Sequence, residues 1–89
     1  MIEKRVTIKN RLGLHARAAV KFVNLANRFN SLVKIIKDGS EIDGKSILGI
    51  LTLAATQGTE IKLKIAGRDE GCACDALVSL INNKFDEKE

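Results

Sequence analysis

The sequence predicts an α+β fold, in which three helices cover one face of a four-stranded antiparallel sheet as a two-layer open-faced sandwich. Segments of period two and segments of helical period follow one another in the order β-α-β-β-α-β-α. Each predicted strand has only one apolar side, so helices are needed on one face of the sheet alone. The chain of 89 residues suits one compact core, and we expect a single domain over residues 1–89.

The strands are predicted from alternation of apolar and polar residues. Their predicted ranges are 2–8, 32–37, 41–43 and 60–66. Lys4 interrupts the apolar side of the first strand, which favours an edge position. The turn residues Asp38-Gly39-Ser40 separate the second and third strands, so these two are expected to form a hairpin.

The helices are predicted from apolar stripes and from their start signals. The first spans about residues 16–28, and its stripe is Ala19, Phe22, Val23, Ala26 and Phe29. The second spans residues 47–53 and follows Ser46, a favourable N-cap residue. The third begins at Asp69 and Glu70, and its stripe is Cys74, Leu77, Val78, Ile81 and Phe85. The polar residues 86–89 are expected to fray.

Composition excludes several classes of protein. Hydrophobic residues make up 45% of the chain and charged residues 29%, which is typical of a soluble globular protein. The apolar run at 47–55 is too short for a membrane span, and the amino terminus lacks a secretory signal, so we expect a cytoplasmic protein without a membrane partner. Cys72 and Cys74 would point away from each other on a helix, which predicts neither a disulfide nor a metal site. No cofactor is expected.

Charge and aromatic content bear on the partner. The net charge of +4 would attract an acidic or phosphorylated group. The chain has no tyrosine or tryptophan, so it lacks the stacking residues that single-stranded nucleic-acid binders use. Nucleic acid is therefore not an expected partner.

The only histidine, His15, lies between a glycine turn at Gly13 and the start of the first helix. The unpaired backbone N–H groups of a helix start, together with Arg17, can hold phosphate. Residues two apart within a helix do not face the same way, so His15 must cap the helix for Arg17 to act with it. A neutral imidazole is also a good nucleophile near neutral pH.

Three segments carry a family resemblance: Gly13-Leu14-His15-Ala16-Arg17, Lys45-Ser46-Ile47-Leu48-Gly49, and Gly67-x-Asp69-Glu70. They resemble the HPr family, the histidine-containing phosphocarriers of the bacterial phosphoenolpyruvate-dependent phosphotransferase system. The resemblance implies the sheet order 1-4-2-3. It also implies that His15 accepts a phosphoryl group on Nδ1 from phosphorylated enzyme I and passes it to an enzyme IIA domain. The protein would then be a monomeric, stoichiometric carrier and not an enzyme.

The same resemblance assigns roles to the residues around His15. Arg17 would act with His15, and the backbone of Ala16, Arg17 and Ala18 would hold the phosphate. The family usually has proline where this chain has Ala18, which leaves open whether it belongs to the sugar-transport or the nitrogen-related branch. A regulatory protein that controls partners without feeding a sugar transporter is therefore the alternative function.

The second predicted helix has two expected roles. Ser46 suits an N-cap, and in some bacteria the corresponding serine is phosphorylated by HPr kinase/phosphorylase, which makes this kinase a conditional partner. The short helix is too apolar for all its residues to be buried. We therefore expect an exposed docking patch consisting of Ile47, Leu48 and Leu51. The resemblance implies that this patch lies beside His15, with Arg17, Lys21 and Lys45 around it.

A small hydrolase built on His15 and Ser46 is a further alternative. It is disfavoured because no acidic residue is evidently placed to orient the histidine, and because a chain of this length offers little pocket.

Overall fold

The computed structural model describes residues 1–87 and has the predicted order of elements. They are β1 (Ile2–Thr7), α1 (Ala16–Ala26), β2 (Leu32–Lys37), β3 (Ser40–Asp43), α2 (Ile47–Thr52), β4 (Glu60–Ala66) and α3 (Glu70–Asn82). The strands form one sheet in the order β1-β4-β2-β3, and every neighbouring pair is antiparallel. The predicted α+β class and sheet order are confirmed.

The sheet has one apolar face because the strand residues alternate. In the central strand β4, Ile61, Leu63 and Ile65 are buried, and Lys62 and Lys64 lie on the other side. β1 pairs only with β4, so it is an edge strand, and its Lys4 is exposed. The predicted hairpin of β2 and β3 is confirmed by their pairing.

Helix α1 covers part of this face with a stripe of small and aromatic side chains. Its buried residues are Ala18, Ala19, Phe22, Val23 and Ala26. The helix ends at Ala26, two residues before the predicted end, and Phe29 packs against the core from the following turn. The predicted stripe is therefore right, although its last member does not lie on the helix.

Asp69 fastens the turn after α1 to the start of α3. Its carboxylate accepts hydrogen bonds from the backbone N–H groups of Asn30, at 2.9 Å, and Ser31, at 3.0 Å, and from the Ser31 hydroxyl. The hydroxyl and backbone donors hold the pKa of the Asp69 carboxyl below its ordinary value. Asp69 thus precedes α3 as predicted, but its side chain binds the neighbouring turn and makes no cap bond to the helix.

The carboxyl-terminal segment differs from the prediction. α3 ends at Asn82, and Lys84, Phe85 and Asp86 follow with φ angles of 57°, 55° and 61°, a left-handed turn. Phe85 is fully buried from this turn and not from the helix. The expectation of a frayed tail is wrong for Glu87, whose side chain is 15% exposed and hydrogen-bonded. Lys88 and Glu89, the rest of that tail, lie outside the described residues.

None of the helices within residues 1–87 has the length and apolar content needed to cross a membrane.

Candidate functional site

The loop before α1 is built around Gly13, which has a φ angle of +67°. Its N–H donates to the carbonyl of Asn10 at 3.2 Å, and the next N–H, of Leu14, donates to the carbonyl of Ala55 at 2.9 Å. Only glycine adopts this left-handed conformation at little cost. The turn therefore fixes where His15 begins the helix.

His15 is the N-cap residue of α1, as predicted. Its backbone is extended, with φ −78° and ψ 178°, and its carbonyl accepts from the N–H of Ala19 at 2.9 Å. The His15 side chain makes no cap hydrogen bond and is 26% exposed. The imidazole is therefore held at the helix end with part of its edge open to solvent.

The first turn of α1 has no acidic residue. The N–H groups of Ala16, Arg17 and Ala18 precede the first intrahelical hydrogen bond, so they are the groups that a helix start offers to an anion. Ala16 and Arg17 are exposed, whereas Ala18 is fully buried in the core. Ala18 thus packs against apolar residues of the core.

Glu87 lies against the imidazole of His15. The Oε2 atom of Glu87 is 2.8 Å from Nε2 of His15, and the amide of Asn10 donates to Oε1 at 2.6 Å. Burial raises the pKa of the Glu87 carboxyl. The hydrogen bonds from His15 and Asn10, with the charges of His15 and Lys21, outweigh burial and lower this pKa below its ordinary value. Within residues 1–87, Nδ1 of His15 has no hydrogen-bond partner.

The orientation of Asn10 is fixed by two acceptors. Its Nδ2 atom donates to the carbonyl of Gly13 at 2.7 Å and to Glu87, while its side chain is completely buried. Its Oδ1 atom has no partner in the described part of the chain. No sequence pattern places either Asn10 or Glu87 at this site. The expectation that no acidic residue is placed to orient His15 is wrong, because Glu87 lies within hydrogen-bond distance of its ring.

Helix α2 presents both features predicted for it. The Ser46 hydroxyl accepts from the N–H of Gly49 at 3.0 Å, which confirms the N-cap. Leu48 is 77% exposed, and Ile47 and Leu51 are each 36% exposed. Ile50 is buried beneath them. We call Ile47, Leu48 and Leu51 the α2 patch.

The two lysines expected beside this patch are bound to backbone carbonyls. Lys21 Nζ donates to the carbonyl of Phe85 at 2.6 Å, and Lys45 Nζ donates to the carbonyl of Phe29 at 2.8 Å. Both side chains are half-buried. A partner would therefore share these ammonium groups with the carbonyls that already bind them.

Comparison with known proteins agrees with this geometry. Residues 2–83 match the family model described as the PTS HPr component phosphorylation site. The phosphocarrier protein HPr of Cupriavidus necator is 47% identical over 89 residues, and the alignment covers all of both chains.

Solved structures are similar over the whole fold. The crystal structure of HPr-C-His from Thermoanaerobacter tengcongensis has 45% identity and a TM-score of 0.96, with both chains fully covered. The HPr dimer of the same organism has 46% identity and a TM-score of 0.79, and covers 98% of this chain and 100% of its own.

The open-faced sandwich, similar over its whole length to phosphocarrier proteins, places the chain in the class of small phosphocarriers. The chain belongs to the HPr family of the bacterial phosphotransferase system.

Proposed function

We propose that His15 accepts a phosphoryl group from phosphorylated enzyme I and donates it to an enzyme IIA domain. The observation that carries the proposal is the position of His15 at the N-cap, with Nδ1 unpartnered within residues 1–87. The protein acts as a stoichiometric carrier, because each phosphoryl group that it accepts is transferred unchanged to the next protein.

The chemistry follows from the hydrogen bond on the opposite ring nitrogen. An ionised carboxylate can only accept, so the contact with Glu87 places the ring proton on Nε2. The lone pair of Nδ1 is then available to attack phosphorus. The Nδ1–P bond forms, the bond to the donor breaks, and its electron pair stays with the donor.

The phosphate would be held by the start of α1. The N–H groups of Ala16, Arg17 and Ala18 lie at the positive end of the helix dipole. Arg17 adds a full positive charge from an exposed position two residues after His15. These groups together favour the dianionic form of the phosphate on His15.

The test is the intact mass after incubation with enzyme I and phosphoenolpyruvate. We expect a gain of one phosphate that is lost on brief acid treatment, since a phosphoramidate is acid-labile. An enzyme I encoded in the same genome is needed. No mass gain with that enzyme, at equimolar protein, would contradict the proposal.

We propose that the α2 patch docks both transfer partners. Three exposed apolar side chains on one short helix are typical of the centre of an interface. The net charge of +4 favours acidic partners. Lys21 and Lys45 contribute positive charge for such partners, although their ammonium groups are also bound to the backbone carbonyls of Phe85 and Phe29.

Leu48→Asp should raise the KM for transfer from enzyme I by about tenfold or more, because it removes an exposed apolar contact and adds repulsion. Leu32→Asp is the matched control, since Leu32 is 67% exposed on β2. Steady-state transfer with each variant measures the effect. Equal KM values for the two variants would mean that the patch does not dock enzyme I.

We propose Ser46 as a regulatory phosphorylation site in addition to its cap. A phosphate at this position would place two negative charges beside the α2 patch and repel acidic partners. Purified HPr kinase/phosphorylase with ATP should add one acid-stable phosphate to the protein and none to Ser46→Ala. That variant should also lose about 1 kcal/mol of unfolding free energy with the cap bond. Acid-stable phosphate on Ser46→Ala would place the site elsewhere.

We also propose that the chain is one cytoplasmic domain that works as a monomer. One relative has been crystallised as a dimer. Sedimentation velocity of this protein is therefore the direct test of the monomer. Whether the carrier serves sugar uptake or a nitrogen-related system is decided by which enzyme IIA domains accept its phosphate. A protein that accepts phosphate and passes it to none would be the regulatory alternative.

A further inference from the structure

We propose that Glu87 is a positioning residue for His15. Its carboxylate holds the ring proton on Nε2. The same carboxylate faces the positive charge that the ring gains when Nδ1 takes a phosphoryl group. This role of Glu87 rests on the proposed function. The contacts that carry it are the 2.8 Å separation of Glu87 Oε2 and His15 Nε2, and the 2.6 Å bond from Asn10 to Oε1.

The charge balance of the transfer explains why a carboxylate is useful here. His15 enters neutral, with its proton on Nε2 and a lone pair on Nδ1. The lone pair forms the N–P bond, and no proton leaves the ring, so the ring becomes an imidazolium while the donor keeps the electron pair of the broken bond. A carboxylate fixed on Nε2–H stabilises this charge more in the product and transition state than in the neutral reactant.

The carboxylate is held by Asn10, which also supports the turn before α1 by donating to the carbonyl of Gly13. Asn10 is completely buried, points its amide at Glu87, and leaves Oδ1 without a partner within residues 1–87. A buried unpaired oxygen costs about 1–3 kcal/mol. An apolar residue at position 10 would avoid that cost but would leave the carbonyl of Gly13 and the carboxylate of Glu87 without their donor, so the amide serves both the turn and Glu87.

The backbone that carries Glu87 is also held in an unfavourable conformation. Lys84, Phe85 and Asp86 all have positive φ, each of which costs about 1–2 kcal/mol for a residue other than glycine. The burial of Phe85 and the bond from Lys21 Nζ to its carbonyl retain the turn. Together they bring a residue 72 positions away in the chain onto the His15 ring.

The experiment compares Glu87→Ala and Glu87→Gln with Asp86→Asn. Asp86→Asn removes the neighbouring exposed carboxylate and keeps a residue that tolerates positive φ. Two readouts separate positioning from a structural role: kcat and KM for acceptance from phosphorylated enzyme I, and the ¹⁵N shifts of the His15 ring in the unphosphorylated protein.

We expect kcat to fall by about 10- to 100-fold in both Glu87 variants, with KM unchanged, by analogy with other carboxylates that orient a histidine. Glu87→Ala should raise the share of the Nδ1–H tautomer. Glu87→Gln should preserve the wild-type tautomer, because its amide oxygen can still accept from Nε2–H. Asp86→Asn should match wild type in both readouts.

The outcomes separate this proposal from the function on which it rests. If wild type accepts no phosphate, the proposed function fails, while the ring shifts still test the contact. If wild type is phosphorylated and Glu87→Ala has the wild-type kcat, only the role of Glu87 is overturned. A loss of thermal stability without change in kcat or tautomer, or an equal kcat loss in Asp86→Asn, would also overturn it.

Discussion

His15→Ala is expected to accept no phosphoryl group from enzyme I while keeping its fold. The loss should be complete, because the sequence has only one histidine. Intact mass before and after acid treatment measures it. A gain of acid-labile phosphate by His15→Ala would show that another side chain is the acceptor.

The stability of the same variant should change little. The His15 side chain makes no hydrogen bond to the N–H groups at the start of α1. Its removal therefore costs the helix no capping bond. The lost contact with Glu87 is worth about 1 kcal/mol for a partly exposed hydrogen bond. Without tyrosine or tryptophan, the unfolding transition is best followed by far-UV circular dichroism. A variant that is unfolded at about 25 °C would contradict this expectation and make the mass result uninformative.

The elements could be predicted from the sequence because their apolar residues follow a regular period. β4 has the predicted bounds, and the cap residues His15 and Ser46 lie where the patterns indicated. These features depend on residues within one or two turns of each other. The sheet order does not, and it was available only through the family resemblance.

The carboxyl terminus shows what local patterns cannot provide. Phe85 continues the spacing of the α3 stripe, so its burial was predictable. The left-handed turn that buries it could not be predicted, because it contains no glycine. A polar segment after the last helix ordinarily frays. Here the buried Phe85 fixes the backbone, and Glu87 follows it onto His15. A contact between positions 15 and 87 depends on tertiary packing alone.

Gly13→Ala is expected to lower the free energy of unfolding by about 2–4 kcal/mol, the largest stability effect among these variants. A Cβ at this position would overlap the carbonyl oxygen of Ala55 and lie 2.9 Å from Cα of Thr56. That carbonyl accepts the N–H of Leu14, so relieving the overlap disturbs a backbone hydrogen bond. The φ angle of +67° adds the cost of a left-handed alanine.

Two other glycines separate these causes. Gly58 has a φ angle of +87°, and no atom lies within 4 Å of the position that a Cβ would take, so Gly58→Ala should lose only the conformational part, about 1 kcal/mol. Gly71 lies in α3 with open space around it, so Gly71→Ala should gain about 0.5–1 kcal/mol of helix stability. Urea unfolding of all three gives the order directly. If Gly13→Ala loses no more than Gly58→Ala, the loop accommodates the methyl group and the close approach to Ala55 does not position His15.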